Sequence, residues 1–421
     1  FNPKALRINR PSETFQTAYL LDKFPNGPIL CQPFTYQEQN LMNPKYAPLF
    51  QTYTLNNGVT IKNRLVVAPM THFGSQADGL ISDQERTFLS NRAGDMGMFI
   101  TAATLVQKDG KAFHGQPEAT GEHCLDSLKE TAQILQRQGA KAILQIHHGG
   151  AKAIDDLLDG LDKISASASE AEHAREATAE EVEALIASYA QAADLALRAG
   201  FDGVEIHGAN GYLIQQFYSA QSNRRNDQWG GSLENRMRFP LAVVDAVVAV
   251  REKHQSDDFI IGYRFSPEEP GDDGLTMTET GVLIDALVQK PLQYLHVSLW
   301  EFDKKIRRGG DTAQTRMQFI HERINGKLPL IGVGNLFTAD DILAAYETGW
   351  AEFIALGKTV MINPHIATQI REGREDEIET QLDPTRADHY GLPDTLWGFA
   401  SSGTQSWLPP VKGAEWKPMD I

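Results

Sequence analysis

From residue 64 onward, short runs of β-branched and aliphatic residues alternate with longer amphipathic stretches. The runs are apolar at successive positions rather than at every second one, the pattern of strands buried on both faces, so they read as parallel strands covered by helices. Eight occur: RLVVAPM (64–70), GMFITAA (97–103), KAILQIHH (141–148), GVEIHG (203–208), FIIGYRFS (259–266), YLHVSL (294–299), LPLIGVG (328–334) and FIALGK (353–358). The stretches between them carry helix signals. In TAEEVEALIASYAQAADLALRAG (178–200), Thr178 and Glu181 have capping-box spacing and Gly200 supplies a stop. In SLENRMRFPLAVVDAVVAVREKH (232–254), Ser232 is the expected N-cap and Pro240 is expected to kink the helix early. TADDILAAYETG (338–349) repeats the cap and the stop.

Eight parallel strands, each followed by a helix, predict an α/β fold of the (β/α)8 TIM-barrel type. A doubly wound sheet competes, but no G-x-G-x-x-G follows the first strand, where a dinucleotide fold needs it. The barrel is assigned to 46–382. Residues 1–45, rich in Pro, Asn and Gln and without a period, read as an irregular N-terminal extension. Residues 383–421 hold Trp397, Trp407 and Trp416 among Gly and Pro and read as a C-terminal tail that packs on the barrel or on the partner subunit of a homo-oligomer.

Charge and composition narrow the functional classes. With 39 basic and 55 acidic residues the net charge is -16, which repels polyanions and argues against a nucleic-acid partner. No apolar run reaches the roughly 18 residues of a membrane span, and the start FNPKALRINRPSE lacks the apolar core of a secretory signal. Cys31 and Cys124 are too few for a disulfide framework or a four-thiolate metal or iron–sulfur site, which suits a reducing compartment. The expectation is a soluble cytoplasmic protein with no membrane partner.

Barrel enzymes place their chemistry at the C-terminal ends of the strands. The polar residues there are Thr71, His72, Thr104, Gln145, His147, His148, His207, Asn210, Tyr212, Arg264, Trp300, Asn335 and Lys358. His207 ends a strand, Asn210 follows at the turn, and the two can aim N–H donors at one acceptor while Tyr212 offers an O–H. Two such donors on a carbonyl oxygen stabilise an enolate. The bland alternative has His207 capping a strand and Tyr212 in the core. GVGN (332–335) and LGK (356–358) end the seventh and eighth strands, where barrels bind phosphate through backbone N–H groups, although glycines there can also serve turn geometry alone. Arg264 lies in an otherwise apolar strand and needs a partner: either Glu205, or the negative charge of a bound cofactor. In SNRRNDQWGGSLENRMRF (222–239), Arg225, Asp227, Glu234 and Arg236 are expected to pair as scaffold for the loop that carries Tyr212.

At these residues the sequence resembles the Old Yellow Enzyme family of FMN-dependent ene-reductases and NAD(P)H:flavin oxidoreductases. The resemblance covers about residues 46 to 370 and rests on H-x-x-N-G-Y at 207–212 and on S-N-x-R-x-D-x-W-G-G-S-x-E-N-R-x-R-F at 222–239, with APMT (68–71), QIHHGG (145–150) and Arg264 in support. It implies FMN on the barrel mouth, reduced by NADH or NADPH. Ala68, Pro69, Met70 and Thr71 would lie beneath or beside the ring, and Ala103 would let the ring approach. Gln145 would bind the pyrimidine edge, Arg264 would face N1 and O2, and Gly334, Asn335, Gly357 and Lys358 would cradle the phosphate. His207 and Asn210 would bind a substrate carbonyl, Tyr212 would protonate its α-carbon, and Phe73 and Trp300 would flank the substrate. The implied reaction is ping-pong: hydride passes from NAD(P)H through flavin N5 to the β-carbon of an α,β-unsaturated carbonyl, with quinones and nitro compounds as compatible small-molecule electron acceptors.

The chain departs from the family pattern at Lys358, where relatives usually have Arg, and at Ala151, Phe73 and Thr71. The larger dienoyl-CoA reductase branch carries an iron–sulfur cluster and a second flavin domain; from two cysteines and a chain ending at 421, the expectation is the single-domain branch. Two rival readings remain: a metal-dependent barrel hydrolase using His147, His148 and His207, and a barrel that holds FMN without catalysis. The first is disfavoured because adjacent strand residues face opposite ways, and no metal ligands are assigned.

Overall fold

The computed structural model describes residues 42–418. The expected extension of residues 1–45 lies outside the described residues apart from 42–45, and so does Cys31. All eight apolar runs form strands: β1 (Leu65–Val67), β2 (Met98–Ile100), β3 (Lys141–His147), β4 (Gly203–Gly208), β5 (Ile260–Phe265), β6 (Tyr294–Val297), β7 (Leu330–Val333) and β8 (Phe353–Leu356). Each pairs in parallel with the next, β8 pairs with β1, and the β2–β3 pairing completes a closed barrel. Closure leaves no open edge. A two-residue strand, Thr104–Leu105, extends the wall beside the end of β3.

The helices follow their sequence signals. In α3 (Ala179–Arg198) the Thr178–Glu181 capping box is complete, and Gly200 takes φ +84° just past the end. Its buried positions Val182, Leu185, Tyr189, Ala192, Ala193 and Ala196 recur at helical spacing and face the barrel wall. In α5 (Leu233–Lys253) the Ser232 side chain accepts from the Asn235 N–H, and the helix runs unbroken through Pro240. In α8 (Ala339–Glu347) Thr338 and Asp341 form a reciprocal cap. Among the described residues no helix is long and apolar enough to cross a membrane.

The two ends of the barrel are built differently. A 3-10 turn (Pro44–Phe50) and a small hairpin of Tyr53–Thr54 with Thr60–Ile61 lie at the N-terminal ends of the strands, where Asn56 donates to Leu292 O (2.8 Å) just before β6. At the C-terminal ends the loops are long and polar. The scaffold run 222–239 behaves as expected with one correction. Arg225 pairs with Asp227 (2.6 Å) and donates to the carbonyls of Ala166 (3.0 Å) and Ala177 (2.7 Å). Arg236, however, pairs with Glu279 (2.7 Å), at the start of α6 (Met277–Leu287), and not with Glu234. Glu234 is exposed in the first turn of α5, where a negative charge is favoured by the free N–H groups of the helix end.

From residue 383 to 418 the chain stays on the barrel. Leu382 N–H donates to Pro410 O (2.7 Å) and Lys412 N–H to Leu382 O (2.9 Å), which anchors the tail beside the chain leaving the eighth unit. Tyr390, at the end of α11 (Ala387–Tyr390), is fully buried.

The barrel interior makes one fold-level requirement explicit. Gly262 in β5 is in register with Tyr294 in β6, and a Cβ at that position would collide with the Tyr294 ring. Replacing Gly262 with Ala should lower the urea midpoint, by roughly 1–3 kcal/mol of stability with an unchanged m-value. A midpoint equal to the parent would show that the ring has room to move.

Candidate functional site

Strand register sets four polar side chains in one row at the barrel mouth. Arg264 of β5 lies beside His207 of β4 and His296 of β6, and the ring of His147 in β3 is 5.2 Å from that of His207. Two residues deeper, on the same faces, lie Gln145, Glu205, Gly262 and Tyr294.

Glu205 organises the deeper layer. It is fully buried; one oxygen accepts from Gln145 Nε2 (2.8 Å), and the other from His296 Nδ1 (2.8 Å) and the Tyr294 hydroxyl (3.1 Å). Burial alone would push this carboxyl up, but His296, the Arg264 charge and Gln145 hold it below the usual carboxylate range. Its acceptor capacity is largely used, and Arg264 acts on it through charge rather than through a hydrogen bond. Arg264 itself is 7% exposed, and its Nε has no hydrogen-bond partner among the described residues. The structural ion pair that would have explained Arg264 blandly is therefore not made by direct contact. Because Gln145 donates downward to an acceptor-only carboxylate, its carbonyl oxygen is the end left to face the mouth.

His147 and His207, two of the three imidazoles in the upper row, are neutral. Gln116 Oε1 accepts from Ala112 N–H (2.8 Å), so its Nε2 faces Ala103 O (3.1 Å) and His147 Nδ1 (3.1 Å). His147 is thereby an acceptor at Nδ1 and carries its proton on Nε2, an atom that is buried and without a partner. Burial and the neighbouring His148 bring the His147 pKa down to about 3. His207 is also held well below its ordinary value, by burial and then by the adjacent His147 and Arg264, and its Nδ1 lacks a partner. Tyr212, the residue before α4 (Leu213–Tyr218), lies against both rings, 4.4 Å from His147 and 5.4 Å from His207 between ring centroids. The phenol keeps its proton at neutral pH, and burial raises its pKa further.

Asn210 is held by the neighbouring strand ends. It sits at φ +60°, a left-handed conformation that Asn tolerates. Its N–H donates to Ser266 Oγ (2.8 Å), after β5, and its Oδ1 accepts from Ser298 Oγ (2.8 Å), after β6, which leaves the amide N–H2 as the free end of an exposed side chain. Lys152 donates to Asn210 O (2.8 Å). Gln216 joins the β3 and β4 loops: its Oε1 accepts from Ala151 N–H (2.9 Å) and Ser165 Oγ (3.0 Å), and its Nε2 donates to Gly211 O (2.8 Å).

The remaining predicted residues ring the same mouth. Ala68 and Pro69 are buried and Met70 and Thr71 half-buried after β1, and Ala103 is buried after β2. Gly357 permits close approach of the eighth unit to the first, since a Cβ there would lie 2.7 Å from Met70 Sδ. Gly334 has a packing reason of its own, because a Cβ there would run into the backbone of Phe302. Lys358 Nζ donates to Asn335 Oδ1 (2.7 Å), lies 5.0 Å from the Trp300 ring centre, and has its pKa lowered to about 8 by burial. Trp300 is thus grouped with Lys358 rather than with the imidazoles. Phe73, at φ +54°, packs on Phe113 (5.8 Å) and on the tail residues Phe399 (5.2 Å) and Trp407 (6.2 Å).

His148 points the other way, as strand alternation requires, and pairs with Asp109 (3.0 Å). Among the described residues no group of three or more His, Cys, Asp or Glu is arranged to hold a metal ion. Two participants have no flavin-site role in the sequence reading. His147 stands two residues after Gln145 and so on its face, a signal that was available; Gln116, which sets the His147 tautomer, comes from a loop and carries no sequence signal.

Residues 48–377 match the model of the NADH:flavin oxidoreductase / NADH oxidase family. The chain is 48% identical over 371 residues to the probable NADH-dependent flavin oxidoreductase YqiG of Bacillus subtilis, covering 87% of this chain and 99% of that protein. It is 36% identical to the NADH:fumarate oxidoreductase of Klebsiella pneumoniae over 84% of this chain, but spans only 39% of that longer protein. Among solved structures it resembles morphinone reductase, with a TM-score of 0.68, 27% identity, and coverage of 82% of this chain and 95% of that one.

The neutral imidazoles predict a pH dependence of stability. A His whose folded pKa is depressed contributes fully above its unfolded value, about 6.5, and loses that contribution as pH falls below it. The urea midpoint should therefore drop between pH 7.5 and 5.5, by about 1 kcal/mol for each such His at the lower pH. His147→Gln should flatten the slope. An unchanged slope in that variant would mean that His147 is charged in the folded state.

Proposed function

Because this chain belongs to the NADH:flavin oxidoreductase / NADH oxidase family, an oxidoreductase family that works with FMN and NAD(P)H, we propose that it reduces the activated C=C bond of α,β-unsaturated carbonyl compounds by a ping-pong route. The observation that carries this reading is the buried Arg264, with an unpartnered Nε, in one row with the partnerless nitrogens of His207 and His147. A cation left in that state suits a ligand with a negatively charged planar edge, since the burial of an unpaired charge is otherwise costly.

The donor set fits FMN. Arg264 would meet the pyrimidine edge of the ring, and the Gln145 carbonyl oxygen, turned outward by Glu205, would accept from its N–H. The backbone of Ala68, Pro69 and Met70, the Thr71 side chain and Ala103 would border the ring. Gly334, Asn335, Gly357 and Lys358 would hold the phosphate, with Lys358 as a point charge where a guanidinium would bind in bidentate fashion. When bound, FMN supplies a reversible two-electron centre that takes hydride from NAD(P)H and gives it to the acceptor.

The chain's own residues then do the rest. His207 and the Asn210 amide, turned by Ser298, would grip the carbonyl oxygen and stabilise charge as it develops there, each worth roughly 2.7–4 kcal/mol in comparable oxyanion sites. Tyr212 keeps its proton at neutral pH as a phenol does, with desolvation raising its pKa further, and would deliver it to the α-carbon. Phe73 would limit the space left for substrate, whereas Trp300, grouped with Lys358, would border the phosphate end. This reading takes residues 46–382 as the barrel and 383–421 as its tail, a small-molecule electron acceptor as the partner, and the cytoplasm as the location, the last resting on low cysteine content.

The test is direct. Purified protein should be yellow, NADPH or NADH should bleach it without oxygen, and an enone should restore the colour. The double variant His207→Ala with Asn210→Ala should retain FMN and lose enone turnover by at least about 100-fold. Protein that stays colourless with excess FMN would overturn the assignment; undiminished turnover in the double variant would remove the carbonyl role.

A further inference from the structure

The C-terminal tail reaches the same end of the barrel as Lys358. The Lys358 ammonium lies 4.8 Å from the ring centre of Trp416 and 5.0 Å from that of Trp300, and donates to Asn335 Oδ1 at 2.7 Å. The four residues come from four places: the loop after β6, the loop after β7, the end of β8, and the tail. Trp416 is itself fixed from two sides. Its Nε1 donates to Leu408 O (3.0 Å), and Phe337, two residues after Asn335, meets its ring edge-on at 6.0 Å and 89°. It is half-buried while the residues on both sides of it are exposed, so the indole is the part of this segment that is seated.

We propose that Trp416 is a cofactor-positioning residue: with Trp300 it clamps the Lys358 ammonium, and the tail thereby governs how tightly the phosphate end of FMN is held. The proposal rests on the reading above that Lys358 faces that phosphate. Lys is a flexible, strongly hydrated point charge and pays more rotamer freedom for each contact than a planar guanidinium does. Two aromatic faces and one amide oxygen restrict the ammonium to a single place and shed its water on those sides, while only one of its three N–H groups is committed to a hydrogen bond, the one to Asn335. A tail contact thus supplies the fixed position that a lysine side chain lacks on its own. The lowered pKa of Lys358 is consistent with such a dry setting.

FMN affinity, read from the fluorescence of released flavin in the full chain, tests this. Trp416→Ala should weaken FMN binding by about 2- to 30-fold, the range expected for one cation–π contact. Trp416→Phe, which keeps a ring face, should recover most of the loss. Trp397→Ala, in the tail but stacked on Tyr390 at 6.1 Å, should bind as the parent does. In a Lys358→Ala background the Trp416→Ala change should have little further effect, because the two residues act as one unit. Parent-like affinity in Trp416→Ala, or an equal loss with and without Lys358, would overturn the proposal. Absence of FMN binding in the parent would instead remove the reading on which it rests, so the two failures are distinguishable.

Discussion

A carboxylate at the heart of the barrel, already supplied with donors, is the constraint on which the site depends. Glu205 takes hydrogen bonds from Gln145, His296 and Tyr294, and these leave Arg264 to act on it through space alone. Had Arg264 taken those oxygens, the cation would be a structural element and the mouth would lack a fixed charge. Instead the carboxylate keeps the guanidinium charged in a buried place while leaving its donors for something else. It also turns the Gln145 amide so that an acceptor faces outward. One buried acid thereby sets both the charge and the polarity of the floor on which a ligand would rest.

The layer above is arranged by the same logic of satisfied neighbours. Gln116 is oriented by Ala112 and Ala103, so that His147 must present a donor; Ser298 occupies the Asn210 carbonyl, so that the amide presents donors; Tyr212 is a protonated phenol whose pKa burial raises further. None of these groups is ionised at neutral pH. Neutral donors in one row with the Arg264 cation suit a negatively charged cofactor edge and a developing oxyanion better than they suit a metal ion, whose ligands would need to be acceptors.

Much of this was legible in the chain because it is local. Burial on both faces makes the eight strands nearly continuous apolar runs, capping boxes such as Thr178–Glu181 mark helix starts, and the strand-end rule points to His207, Asn210, Tyr212 and Arg264. What was not legible joins residues far apart in sequence. Arg236 was expected to pair nearby and instead reaches Glu279. Glu205 reads from the sequence only as an Arg264 partner, because its three donors lie on two other strands. Trp416 could be read as packing on something, but its seat on Lys358 depends on the path of the tail, which no local pattern encodes.

The two-electron midpoint potential of the bound flavin in Arg264→Met, set against the parent and Arg264→Lys, addresses the central claim most directly. A guanidinium freed by the commitments of Glu205 would stabilise the reduced, negatively charged ring, so the potential should become more negative in Arg264→Met and stay near the parent value in Arg264→Lys. A parent-like potential in Arg264→Met would contradict the account, because it would mean that the charge of Arg264 is not directed at the cofactor.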